Sequence, residues 1–393
     1  MLNKMKRRLK EFLVSHMDLR PLERFVPDIN LNCMEDQKRV LIAYVDYFRA
    51  SRDVAAGALH PNRYELFQII RCFIQMEYVI DVCACSNEEA LEYIANKKYD
   101  VIFGMGKVFR EAVKQHKEAY SILFLTENPY DVSYQREKER IDYLYERRGI
   151  KWEFDRTGSV FERDDEKKAD AVICKGETEY LRHVNGPVRR IFSSALVNKD
   201  LSHDFAKKRK ENFLVLGSAG FVHKGTDLLV EVFEKHPEWQ LYLCGYDVSK
   251  ILKKMGYNSR IANIHDCGYV DVRGKRFQEL AEKCVYILLP SCSEGFSTAI
   301  LTGMAHGMIP IISKGMGMDF MEQYCLFFDG FRLEDIEKEI MQAMEVPMAQ
   351  LAEKSQEVYR YASREFTLEH FTKNMQDILS GLLKENRDES GAS

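Results

Sequence analysis

Segment 286–319 can form little other than one unit of an α/β sheet, and it reads YILLPSCSEGFSTAILTGMAHGMIPIISKGMGMD. One apolar run ends at Pro290 and a second covers 309–313, and short runs with such boundaries are typical of buried strands. Between them a polar turn leads into a helix predicted over 298–306. A strand, a loop, a helix and a second strand in this order form the repeating unit of a parallel sheet.

The loop of this unit is a candidate ligand site. In open α/β sheets ligands bind at the carboxyl ends of strands, beside helix N-termini. Free N–H groups of residues 296–299 would suit phosphate or sugar oxygens, and Glu294 could accept hydrogen bonds from hydroxyls. The same pattern also fits a structural strand–helix unit whose glutamate faces solvent, so the residues alone leave both interpretations open.

The alternation of strands and helices extends through the N-terminal half. Apolar runs separated by helical patterns predict a doubly wound domain, with strands at 39–45, 78–85, 99–104, 120–126 and 169–174. Residues 131–168 carry charges of both signs and are predicted to form solvated helices and loops. Residues 197–211 are polar and predict a hinge, after which the pattern restarts with NFLVLG.

The predicted organisation has five parts. The later helical pattern over Met348–Leu383 is amphipathic, and the polar end of the chain predicts disorder. The segments are a basic amphipathic N-terminal segment (1–38), an N-terminal Rossmann-like domain (39–198), a C-terminal Rossmann-like domain (199–345), C-terminal helices (346–384) and a disordered tail (385–393).

Composition excludes several classes of protein. The chain has 393 residues, enough for two domains, and its net charge of -4 argues against a global nucleic-acid field. The ten cysteines include no C-x-x-C pair, so we expect a reducing, cytoplasmic location without disulfides or a zinc site. Phe109 stands where a dinucleotide fingerprint starting at Gly104 needs its third glycine, so no NAD site is predicted.

Residues 1–25 form a basic stretch, with seven Lys or Arg against three Asp or Glu. Met5, Leu9, Phe12 and Leu13 would share one face of a helix. Such a helix could lie on an anionic membrane surface, at the inner face of the membrane. A helix packed on the domain or a disordered tail explains the same pattern.

Polar residues cluster at two predicted loops of the N-terminal domain. His60, Asn62 and Arg63 stand at a helix start, and His60 could act as a base or bind hydroxyls because imidazole titrates near neutrality. Helix capping by a surface histidine is the alternative. Glu127 ends a strand and could bind acceptor hydroxyls or cap a turn.

The pattern PSxSEGFSxAxLxGMAxGxxPI over 290–311 resembles the donor-site signature of GT-B glycosyltransferases, particularly family 4. In that signature a glutamate precedes Gly-Phe and a second glutamate stands eight residues after the first. Glu294, Gly295 and Phe296 match the first part. Thr302 stands in place of the second glutamate, which in the family holds both ribose hydroxyls, and a single hydroxyl cannot make that bidentate contact.

The start of the second domain resembles the same family. Lys224 matches the lysine of a basic pair that holds the donor's diphosphate, although a solvated surface lysine is the alternative. The arginine expected soon after Gly217 is replaced by Ser218 and Ala219. The turn 268–270 resembles the family's base-binding turn. The resemblance implies donor contacts from Ser218, Lys224, Tyr269, Gly295, Phe296, Ser297, Thr298 and Thr302.

The resemblance also implies a fold and an activity. The GT-B fold has two Rossmann-like domains facing a cleft, with a C-terminal helix that crosses back. The first domain would bind the acceptor through Asn62, Arg63 and Glu127. The resemblance implies Glu294 and His60 as catalytic residues. Many members of the family carry a histidine near the position of His60. The implied reaction moves a sugar from a nucleotide-sugar, with retention, to a saccharide or lipid-linked acceptor in polysaccharide or glycoconjugate synthesis, without a cofactor or metal.

Two departures from the signature motivate an alternative function. Thr302 and the missing arginine would both remove contacts to the donor. A catalytically degenerate GT-B protein that acts as a binding or assembly partner would tolerate their loss. A sugar epimerase or phosphorylase could also use this fold, because fold alone does not fix function. The sequence does not specify the nucleobase, the sugar, the acceptor or the oligomeric state.

Overall fold

The computed structural model describes residues 25–32, 36–55, 61–195, 205–217, 219–257 and 259–392. Two of the predicted site residues, His60 and Ser218, lie outside the described residues. So do the basic segment over residues 1–24 and most of the predicted hinge. The predictions for these residues therefore stay predictions.

The N-terminal domain is built on a sheet ordered β1-β3-β2-β4-β5-β6-β7, in which every pair is parallel except β1 with β3. Its strands are β1 (Phe25–Ile29), β2 (Arg39–Tyr44), β3 (Val79–Ala84), β4 (Val101–Gly104), β5 (Tyr120–Leu125), β6 (Ala171–Cys174) and β7 (Val188–Arg190). Its helices are α1 (Tyr47–Ala55), α2 (Pro61–Gln75), α3 (Leu91–Ala95), α4 (Gly106–Gln115), α5 (Tyr130–Arg148) and α6 (Asp165–Lys168). Strand β1 lies within the predicted N-terminal segment 1–38, so residues 25–29 belong to the sheet.

The C-terminal domain has a parallel sheet ordered β10-β9-β8-β11-β12-β13. Its strands are β8 (Arg209–Leu216), β9 (Gln240–Cys244), β10 (Ile264–Gly268), β11 (Cys284–Leu289), β12 (Ile309–Ser313) and β13 (Leu326–Phe328). Its helices are α7 (Thr226–Lys235), α8 (Val248–Lys254), α9 (Lys275–Lys283), α10 (Thr298–Met304), α11 (Leu333–Glu345) and α12 (Met348–Glu365). Two Rossmann-like domains, as predicted, therefore face each other.

Segment 286–319 has the predicted order of strand, loop, helix and strand. Strands β11 and β12 are entirely buried and pair in parallel, as their unbroken apolar runs require. Helix α10 begins after Ser297, whose hydroxyl accepts a hydrogen bond from Ile300 N. It ends at Met304, three residues before Gly307. Gly307 adopts a left-handed conformation at φ 64°, which glycine permits at low cost.

The last helix, α13 (Leu368–Ala392), crosses back to the N-terminal domain. Phe371, Met375 and Leu379 are buried in the N-terminal core, which confirms the predicted crossover. The prediction of a disordered tail over 385–393 is wrong as far as Ala392, because the helix continues through these polar residues. Within the described ranges, no helix is both long enough and apolar enough to cross a membrane.

Helix α5 departs from the predicted solvated character of residues 131–168. Its residues Tyr143 and Leu144 are buried in the core of the C-terminal domain, although they precede that domain in sequence. Glu137 is fully buried and Arg140 is 4% exposed. Helix α5 therefore connects the two domains through its packing and not only through the chain.

Candidate functional site

A cleft of about 410 Å³ lies between the two domains, at the carboxyl ends of both sheets. This is where open α/β sheets bind ligands. The predicted residues that line it are Asn62 and Glu127 from the first domain and Lys224, Tyr269, Glu294, Phe296, Ser297, Thr298 and Thr302 from the second. Arg63 is not among the lining residues, and Gly295 lies below the surface of the cleft.

Gly295 lies where the two domains touch. A Cβ added there would collide with the carbonyl oxygen of Thr126 from the other domain, so only glycine allows the approach. Nearby, Asn128 Nδ2 donates hydrogen bonds to Ser293 Oγ and to Gly315 O, each at 3.1 Å. The two domains are therefore in direct and close contact next to the cleft.

Glu294 and Lys224 form a buried ion pair in the wall of the cleft. Lys224 Nζ lies 2.6 Å from Glu294 Oε1, and Ser291 Oγ donates to the same oxygen at 3.2 Å. Burial raises the pKa of Glu294, but Lys224, Arg156 and His223 oppose it and hold the pKa at about 2. The carboxylate is therefore ionised near neutral pH and can accept hydrogen bonds from hydroxyls but cannot donate a proton.

Arg156 is a site residue that the sequence analysis missed. It lies in the loop after α5, lines the cleft, and its Nη2 donates to Glu127 Oε1. Glu127 was predicted to contact the acceptor, and in the structure it binds this guanidinium. The charged segment around Arg156 gave no local pattern that separates it from a solvated loop.

Lys175 is a second missed residue, at the carboxyl end of β6. Its Nζ lies 2.7 Å from Glu65 Oε2 in a buried ion pair and 5.3 Å from the centre of the Phe124 ring. A charged residue directly after a buried strand was the available signal, because strand ends point towards the cleft. The pair places a fixed cation on the acceptor side.

Glu137 and His223 support the site from beneath. His223 Nε2 lies 2.6 Å from Ser293 O, and its Nδ1 lies 3.2 Å from Glu137 Oε2. Burial lowers the pKa of His223, but Cys292, Glu137 and Glu294 together raise it to about 10. A charged histidine therefore holds the backbone next to Glu294 in place.

Thr302 lies in the cleft wall, and its hydroxyl is bonded within its own helix. Thr302 Oγ1 donates to Thr298 O at 2.8 Å within helix α10, and the residue is 3% exposed. A threonine commonly makes this bond to its own helix. Among the described residues, no group of three or more His, Cys, Asp or Glu side chains could hold a metal ion.

Comparisons with known proteins agree with this architecture. Residues 198–365 match the model of the family described as Glycosyl transferases group 1. The structure is similar to sucrose-phosphate synthase from Thermosynechococcus elongatus, with 15% identity, a TM-score of 0.60 and coverage of 89% of this chain and 100% of that chain. It is also similar to Anabaena HepE in complex with UDP and glucose, with 11% identity, a TM-score of 0.55 and coverage of 88% and 100%.

A further similar structure is TarM, with 16% identity and a TM-score of 0.53. That match covers 75% of this chain and 57% of TarM. Among curated proteins, none matches this sequence. The chain has the GT-B fold, and its residues 198–365 match the family model of the glycosyl transferases of group 1.

Proposed function

We propose that this protein transfers a sugar from a nucleotide-sugar donor to an acceptor held by the N-terminal domain. The observation that carries the proposal is the buried Glu294–Lys224 pair in the interdomain cleft. The match of residues 198–365 to the group 1 family model and the GT-B fold support the same reaction. The HepE structures in complex with UDP and with UDP-glucose suggest uracil as the first nucleobase to test.

Each side of the pair has a role in the proposed reaction. Lys224 would meet the negative charge that develops on the leaving diphosphate, and a preorganised cation in a partly dry cleft is effective in this role. The ionised Glu294 would accept hydrogen bonds from sugar hydroxyls and favour the positive charge that develops on the sugar ring. The nearby backbone of residues 295–298 would line the sugar and phosphate positions.

The finer features of the reaction are also proposals. Retention of configuration at the anomeric carbon follows from the resemblance to family 4. A saccharide or lipid-linked acceptor in polysaccharide or glycoconjugate synthesis agrees with the open cleft on the side of Asn62 and Lys175. Contact with the inner face of the membrane rests on the basic sequence of residues 1–25.

A thermal-shift titration tests the donor site first. The full-length protein is heated with UDP-, GDP-, ADP- and CMP-linked sugars, and a ligand that binds only the native state must raise the midpoint. We expect one nucleotide series to raise it and the matching free nucleoside to have a smaller effect. Release of nucleoside diphosphate with an added acceptor, and the anomeric configuration of the product by NMR, then test transfer and retention.

A degenerate, partner-binding protein remains the alternative because two observations favour it. The hydroxyl of Thr302 is taken up by its own helix, and Lys224 is neutralised by Glu294. This alternative predicts that no nucleotide-sugar raises the thermal midpoint. Such a result would contradict the proposed enzyme.

The substitution Thr302→Glu is expected to tighten nucleotide binding. Thr302 lines the cleft on helix α10, and a carboxylate there could accept hydrogen bonds from both ribose hydroxyls. Charge-assisted hydrogen bonds of this kind correspond to roughly tenfold or more in affinity. The dissociation constant of the nucleoside diphosphate, measured by calorimetry, checks the result.

Thr302→Val is the matched control for this variant. It keeps the shape of the side chain and removes only the hydroxyl that donates to Thr298 O. We expect nucleotide affinity to stay the same, within about twofold. Weaker binding by Thr302→Val, or unchanged binding by a folded Thr302→Glu, would mean that the ribose does not lie against this residue.

A further inference from the structure

The donor side of the cleft has little free positive charge for a diphosphate. Lys224 is already paired with Glu294 at 2.6 Å. The loop between Gly217 and Gly225 contains no arginine. A diphosphate bound in a partly buried cleft needs cationic donors to replace its hydration. Besides Lys224, the described cations that line the cleft are Arg156 and Lys175, and Lys175 is already paired with Glu65 at 2.7 Å.

The loop that follows α5 is attached to the donor domain, although it belongs to the N-terminal half by sequence. Asp155 Oδ2 accepts a hydrogen bond from Val222 N at 2.9 Å. The Trp152 ring lies 6.2 Å from the Phe221 ring. These contacts hold the loop against the same segment that carries Lys224.

The side chain of Arg156 passes close to Gly220. A Cβ added to this glycine would lie 2.9 Å from both Cγ and Cδ of Arg156. The absence of a side chain at this position therefore leaves room for the arginine stem to cross the loop. Beyond the crossing, the Arg156 side chain reaches the cleft and is 26% exposed.

The guanidinium has capacity for a further ligand. Within the described ranges its hydrogen-bond acceptor is Glu127, whereas an arginine carries five N–H donors in a planar fork. Glu127 therefore occupies part of the fork and holds it at the mouth of the cleft. The remaining N–H donors of Arg156 can bind an anion in the bidentate manner that suits phosphate.

We propose that Arg156 supplies the second cation of the donor site and binds the diphosphate together with Lys224. The inference rests on the proposed function and adds a residue from the N-terminal half to the donor site. Glu127 acts as a positioning residue, because it orients the guanidinium in the ligand-free protein. When the diphosphate binds, Arg156 contacts both the donor molecule and Glu127 of the N-terminal domain.

Binding measurements on the full-length protein test this assignment. The probes are inorganic pyrophosphate, the nucleoside diphosphates of uridine, guanosine and adenosine, and the free nucleosides. For Arg156→Gln we expect pyrophosphate and nucleoside diphosphate affinities to fall roughly 10- to 100-fold. Free nucleosides should bind as they bind the wild type. Arg156→Lys keeps the charge but loses the planar set of N–H donors, so its diphosphate affinity should be intermediate between those of the wild type and Arg156→Gln.

Two further variants separate binding from folding. Arg163→Gln removes an exposed arginine of the same loop, paired with Asp131 at 2.8 Å, and should change affinity by no more than about twofold. Glu127→Gln keeps an oxygen that can accept the hydrogen bond from Arg156 but removes a negative charge beside the proposed diphosphate position, so it should tighten diphosphate binding. A merely structural role for the pair would not predict a tighter complex.

The outcomes distinguish failure of the proposed function from failure of the role of Arg156 alone. If the wild type binds neither pyrophosphate nor any nucleoside diphosphate, the proposed function fails and the role of Arg156 fails with it. If the wild type binds and Arg156→Gln binds equally well, the role of Arg156 alone is overturned. Should Arg156→Gln not fold, unchanged diphosphate affinity in both Arg156→Lys and Glu127→Gln would overturn it.

Discussion

Replacing Glu294 by glutamine is expected to lower the rate of sugar transfer by roughly 100- to 1,000-fold, the usual cost of removing one preorganised electrostatic group. The side chain is buried, ionised and bound to Lys224. Glutamine keeps the shape and one acceptor oxygen but loses the negative charge. The transition state would therefore lose its anionic partner while the cleft stays filled.

The same variant should not weaken the binding of nucleoside diphosphate. Removing a negative charge beside Lys224 leaves that lysine free to interact with the diphosphate, so affinity should stay equal or increase. Transfer is measured by release of nucleoside diphosphate and affinity by calorimetry, with Glu353→Gln on the exposed face of α12 as the control. A parallel loss of binding and transfer would show that Glu294 maintains the structure and is not a group acting on the sugar.

The units of the fold were predictable because their signals are local. The two apolar runs of segment 286–319 and its helix cap needed only neighbouring residues, and the observed β11, α10 and β12 follow them closely. The location of the residues around Glu294 at the cleft was also predictable, because the carboxyl ends of parallel strands share one edge of a sheet.

The residues that the sequence did not reveal depend on distant partners. Glu137, Arg140, Leu144 and Arg147 lie on one face of α5 because their spacing of three and four residues matches a helical turn. Three of these four are charged, and their alternating signs suggested solvent. Each of the three charged residues has a partner 80 or more residues away, as in the ion pair between Arg147 and Asp227 at 2.7 Å, and no local pattern could identify these distant partners.

Arg156 and His223 were missed for a similar reason. The position of Arg156 depends on Val222 and Gly220 in the other half of the chain. The charge of His223 depends on Glu137, 86 positions earlier in the sequence. The missing arginine after Gly217 indicated that a cation was lacking but not where a replacement would come from.

Glu137→Gln is expected to lower the free energy of unfolding by about 3–5 kcal/mol, the range found when one partner of a buried charged pair is removed. The carboxylate accepts hydrogen bonds from Asp155 N at 2.5 Å, from Thr157 N at 2.9 Å and from Thr157 Oγ1 at 2.5 Å. It also lies 3.2 Å from His223 Nδ1. Glutamine would leave the histidine charge without a counterion and would direct an amide donor at N–H groups.

Urea denaturation followed by tryptophan fluorescence measures this loss. The two tryptophans, Trp152 and Trp239, both pack against the C-terminal core, so their emission reports the part of the protein that Glu137 stabilises. Glu139→Gln, at an exposed position of the same helix, should stay within about 0.5 kcal/mol of the wild type. Equal midpoints for Glu137→Gln and Glu139→Gln would show that the buried pair does not stabilise the protein.

The pH dependence of this loss identifies the pair as its cause. Burial raises the pKa of Glu137, but His223 and Thr157 hold it at about 2, below the ordinary 4.5. Its stabilisation is therefore fully present above pH 4.5 and is lost as the pH falls towards 2. The raised pKa of His223, about 10 against an ordinary 6.5, gives stabilisation that is present below pH 6.5 and lost as the pH rises through 10.

The difference in stability between the wild type and Glu137→Gln should therefore be largest between pH 4.5 and 6.5 and should shrink on both sides. Urea midpoints measured from pH 3 to pH 10 cover the decrease on both the acidic and the basic side, and a stability difference independent of pH would exclude the ion pair as its source.

The loop held by Glu137 also carries Arg156, whose backbone N–H donates to the same carboxylate at 3.2 Å. Folded Glu137→Gln should therefore bind nucleoside diphosphate more weakly than the wild type, because the loosened loop no longer fixes the guanidinium at the cleft.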